Sequence, residues 1–96
     1  MPLNSSVRGQ MEVIRLIEEL IQAMRRDGYA DQSDELQKLL NRLIHGSDEE
    51  RTRAAKAISA NCHLKCYGDL NVEMPGSGSD PLWNHLSKIQ RALAAL

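Results

Sequence analysis

The sequence predicts an all-α fold, a small four-helix bundle with a short extended segment between the third and fourth helices. Two observations carry that prediction. Apolar residues recur at helical spacing in separate stretches, and the 42% apolar share is built on aliphatic side chains, with no Phe at all. Such side chains suit narrow helical stripes better than a β-sandwich, whose strands favour aromatic and β-branched residues. Glycines and a Ser-Asp-Glu-Glu sequence also punctuate the stretches where helices should stop and start. A chain of 96 residues holds one core. Residues 9–96 are therefore read as a single helical domain, and residues 1–8, "MPLNSSVR", as a disordered leader.

The first helix is expected over residues 10–27, with Val13, Ile14, Ile17, Leu20, Ile21 and Met24 as its apolar stripe. Gly28 ends it, and Arg25 and Arg26 in its last turn suit the negative end of the helix dipole. A second helix over residues 31–45 carries Leu36, Leu39, Leu40, Leu43 and Ile44, and stops at Gly46. The short connection through Gly28 and Tyr29 makes these two an antiparallel hairpin. Ser47 and Glu50 have the spacing of a capping box, so a third helix starts at Asp48. Its inward face, Ala54, Ala55, Ala57, Ile58 and Cys62, is small, and the helix is expected to continue through Cys66. Tyr67, Gly68 and Asp69 read as a turn, residues 70–74 as a short strand and residues 75–79 as a flexible loop. Asp80 and Pro81 then start a fourth helix with the seam Leu82, Leu86, Ile89, Leu93 and Leu96, and Trp83 beside it.

Twelve basic against thirteen acidic residues give a formal charge of −1. No positive excess is available to neutralise phosphates, so neither nucleic acid nor an anionic membrane is expected as a partner. Residues 1–10 are polar and lack the apolar stretch of a signal peptide, and no apolar run approaches the roughly 18 residues of a spanning helix. The expected setting is the cytoplasm, where cysteines remain thiols.

Chemistry is concentrated in one stretch, Cys62-His63-Leu64-Lys65-Cys66. Structural zinc needs four ligands, and His45 and His85 are single residues in other segments. A catalytic thiol needs a depressed pKa and a positioned base, and no oxyanion loop or nucleophile elbow accompanies this segment. Ala54 or Ala55, Ile58, Cys62 and Cys66 instead share a helical face, where cysteine acts as a small hydrophobe. No catalytic residue, cofactor or metal is therefore expected.

The order of parts also resembles a family of small uncharacterised bacterial helical proteins over residues 10–96. The residues that carry the likeness are Gly28 and Tyr29 at the hairpin corner, Leu36, Leu39 and Leu40, and the Gly68-Asp69-Leu70-Asn71 turn. The resemblance implies a compact, mostly helical bacterial domain and transfers no catalytic residue. The resulting expectation is a non-enzymatic protein–protein interaction domain, self-associating as a homodimer. Its expected interface is Trp83, Leu86, Ile89 and Leu93 on the fourth helix. One competing reading is an immunity or antitoxin-like protein that blocks a single partner. Another is a thiol or metal site at Cys62, His63 and Cys66.

Overall fold

The computed structural model describes residues 2–62, Val72 and residues 81–95, without the side chains of residues 2–9 and of Pro81. Within them run four α-helices: α1 (Pro2–Arg26), α2 (Ala30–His45), α3 (Asp48–Asn61) and α4 (Pro81–Ala94). The fold is a small all-α four-helix bundle. No strand occurs among the described residues. Helix α1 packs against both α2 and α4, α2 packs against α3, and α3 meets α4 more sparingly.

Helix α1 begins at Pro2, so the backbone of residues 2–8, expected as a leader, is helical here. Its end follows the expected glycine rule. Gly28 has φ +94°, a conformation open to glycine at little cost. The Gly28 amide donates to the Arg25 carbonyl at 3.4 Å and the Tyr29 amide to the Met24 carbonyl at 2.8 Å. That pair of bonds satisfies carbonyls the helix end would otherwise leave open. Tyr29 then packs against the core, and the chain reverses into α2.

No side chain caps the start of α2. Ser33 is fully buried there, but its hydroxyl donates to the Ala30 carbonyl at 2.8 Å, so no polar group is stranded. At the other end Gly46 is glycine for a different reason. Its backbone is extended (φ −75°, ψ 168°), but an added Cβ would lie 2.5 Å from the Arg42 carbonyl oxygen. Space selects glycine here, not the left-handed conformation. Arg51 reaches back from α3 and donates through Nε to the Leu43 carbonyl at 3.1 Å. A cation on one of the last carbonyls of α2 also suits the dipole.

Ser47 caps α3 as the sequence predicts, its Oγ accepting from the Glu50 amide at 3.3 Å. The Glu50 carboxylate lies 3.3 Å from the same Oγ, and accepts from the hydroxyl instead of from the Ser47 backbone amide that a capping box would use. Asp48, Glu49 and Glu50 fill the first turn, where negative charge is favourable. The helix is shorter than expected: it ends at Asn61, with Cys62 as its C-cap. Cys66, the expected turn at residues 67–69, the loop at 75–79 and the cap Asp80 lie outside the described residues. So does the expected strand, apart from Val72, which is buried in the core.

The core is aliphatic throughout: Val13, Ile17, Leu20 and Met24 from α1, Leu36 and Leu40 from α2, Ile58 from α3, Leu86 and Ile89 from α4. Small residues let α3 come close, with Ala54 and Cys62 buried on its inner face. Ala55 packs at the edge of the core. Among the described residues no helix is long and apolar enough to cross a membrane.

Candidate functional site

A thiol or metal site turns first on Cys62. It caps α3, its amide reaching the carbonyls of Ile58 and Ser59 at 3.2 Å each, and its side chain is fully buried. Burial pushes the thiol from 9.0 up to about 12, because a thiolate would lose its hydration. At neutral pH the sulfur is therefore protonated, the opposite of an activated nucleophile. His63 and Cys66 lie outside the described residues. Among the described residues no group of three or more His, Cys, Asp or Glu side chains is placed to hold a metal ion.

The raised pKa has a measurable consequence. The folded state keeps its proton while the unfolded chain gives it up, so stability is complete below pH 9.0 and declines as pH rises toward about 12. The slope expected from this one group is about 1.4 kcal/mol per pH unit. Denaturant unfolding of the protein and of Cys62→Ala across that window measures it. The variant should start about 1 kcal/mol less stable through lost packing and lack this part of the slope. Equal slopes in the two proteins would show that Cys62 is accessible in the folded chain.

The seam of α4 lies elsewhere than the sequence suggests. Leu86 and Ile89 are fully buried and Leu93 is nearly so, all within the core shared with α1. Leu86 and Ile89 are interior residues and not an open interface, whereas Leu93 borders a depression at the end of the bundle. The reason is that α1 presents a second row, Leu16 and Ala23, beside the stripe read from the sequence, and α4 covers it. Two polar side chains fasten α4 in place. Buried His85 donates from Nε2 to the Leu16 carbonyl at 2.7 Å, the carbonyl being able only to accept. Gln90 Nε2 donates to the Ser59 carbonyl of α3 at 3.1 Å. Of the four residues expected at an interface, Trp83 alone is accessible, at 36%.

A second accessible apolar area was not legible as such. Met11 is 65% exposed and Ile44 37%. Ile44 lines a small cleft of about 50 Å³ with Gln10, Val13, Ile14, Leu43 and Arg51. A wider depression of about 340 Å³ adjoins it, sharing Gln10, Leu43 and Arg51 and adding Thr52, Ala55, Lys56 and Leu93. Together they form one groove at the end of the bundle where α2 and α4 finish and α3 starts. Its floor is aliphatic, and among the described residues its charged lining is Arg51 and Lys56, with no acid.

From Ile14 in the groove wall, Met11 and Glu18 lie three residues before and four after, so the three line one ridge of α1. Glu18 is exposed, and makes no ion pair or hydrogen bond among the described residues. The sequence reading placed Ile14 and Ile44 with the core. The structure leaves Ile14 partly buried and Ile44 open, because both sit at the margin of the α1–α2 seam. This groove and ridge make the candidate site. An aliphatic floor with a basic rim has the chemistry to receive an apolar side chain and to pair with a carboxylate.

Compared with protein-family models, curated proteins and solved structures, the chain has no match.

Proposed function

We propose that this chain is a small non-enzymatic protein–protein interaction domain that associates with itself. The observation that carries the reading is the accessible aliphatic surface of Ile44 in the groove and of Met11, one helical turn along α1 from the groove residue Ile14. Large apolar side chains gathered beside a cleft, instead of scattered singly, mark an interface. A domain this small also has a limited core of its own, and association supplies further buried area. The protonated, buried Cys62 supports a binding role over a thiol-based one, and suits a reducing cytoplasm. A bacterial setting rests on the family resemblance of the hairpin corner and the Gly68-Asn71 turn.

Sedimentation equilibrium tests the self-association. The chain is expected to be a dimer at micromolar concentration and to dissociate on dilution, as modest interfaces do. A monomer of unchanged mass throughout that range would remove self-association. It would turn the same groove toward a different protein, the partner-blocking reading.

A further inference from the structure

We propose that the groove is filled by a second copy of this chain, with Met11 of each copy seated between Ile14 and Ile44 of the other about a two-fold axis. This pairing stands on the self-association proposed above and adds where the copies meet. A two-fold interface uses one patch twice, so that patch must hold both a projection and the hollow that receives it. The α1–α2 end has both. Met11 is the most exposed of the large apolar side chains among the described residues. On the same helix, three residues on, Ile14 forms one wall of a cleft of about 50 Å³. That space suits the end of one unbranched side chain, and methionine adapts well to such hollows.

Charge points to the same occupant. Among the described residues the groove contributes Arg51 and Lys56 without an acid, and the ridge carrying Met11 contributes Glu18. Lys56 and Glu18 make no ion pair among the described residues. Placing the Met11 ridge of one copy over the groove of the other brings the Glu18 carboxylate toward the basic rim, twice per dimer. The net charge of −1 leaves little mutual repulsion to overcome. Trp83, the other accessible large side chain, is ten residues from Leu93 along α4, about 15 Å of helix. It therefore belongs to a different part of the surface.

Sedimentation equilibrium of the full chain and of variants at accessible positions tests the pairing, with circular dichroism to verify that each remains helical. Met11→Glu is expected to weaken dimerisation about tenfold or more, because a charge replaces the apolar anchor. Glu18→Lys and Lys56→Glu should each weaken it about threefold, and the double exchange should recover most of that loss. Trp83→Gln should leave the dimer within about twofold of the original. Met11→Glu dimerising like the original chain would overturn the pairing, as would no recovery in the double exchange. If Trp83→Gln dissociates the dimer instead, self-association stands and the interface moves to α4. If the unaltered chain is a monomer, both proposals fall.

Discussion

Leu86→Ala is expected to lower the unfolding free energy by about 2–5 kcal/mol, with the same loss at every protein concentration. Leu86 has no accessible surface and lies in the core between α4 and α1. Truncating it removes buried methyl groups and leaves a hollow that neighbouring helices close only in part. The concentration term decides what kind of residue it is. A side chain in a subunit interface loses its contribution as the protein is diluted, whereas an interior one does not. Urea unfolding at several concentrations makes the distinction. A loss that vanishes in dilute solution would return α4 to the role of interface.

Gly46→Ala should cost about 1–3 kcal/mol, although its backbone conformation is open to any residue. The penalty comes from crowding: a Cβ would stand 2.5 Å from the Arg42 oxygen and 2.9 Å from the Glu50 Cβ. The first neighbour is backbone in the last turn of α2 itself, held by the bond from the Gly46 amide at 2.8 Å, so relief requires that turn to open. Gly28 supplies the contrast. It has nothing within 4 Å of an added Cβ but sits at φ +94°, so Gly28→Ala should cost about 1 kcal/mol through the backbone alone. Denaturant unfolding compares the pair. Original stability in Gly46→Ala would mean that the last turn of α2 is more open than this geometry gives.

Helix starts and stops were largely legible because they depend on neighbours in sequence. Ser47 caps the amide three residues on, and α1 closes with bonds from the Gly28 amide to Arg25 and from the Tyr29 amide to Met24. Gly46 shows the limit of such reasoning: the stop was legible, but its cause was not. The carbonyl of Arg42 and the Cβ of Glu50 crowd it through the backbone path by which the chain leaves α2 and enters α3, which residue types do not reveal. Faces were legible in part. Periodicity identifies the apolar stripe of α1, but Leu16 and Ala23 extend it on the side that α4 covers. Without that second row, Leu86, Ile89 and Leu93 look like surplus surface. His85 illustrates the same blindness. Its bond to the Leu16 carbonyl spans most of the chain, and no local pattern announces it. The candidate groove was the least legible feature, since Gln10, Ile44, Lys56 and Leu93 come from four different helices.

In the proposed pairing Leu86 and Ile89 of α4 stay in the core while the α1–α2 end is the surface that associates. Methyl carbon–proton NMR spectra recorded on successive dilution test both halves at once. Signals from the Met11 and Ile44 methyl groups should move as dimer gives way to monomer, while those of Leu86 and Ile89 stay in place. Movement at Leu86 and Ile89 with Met11 and Ile44 unchanged would contradict the account.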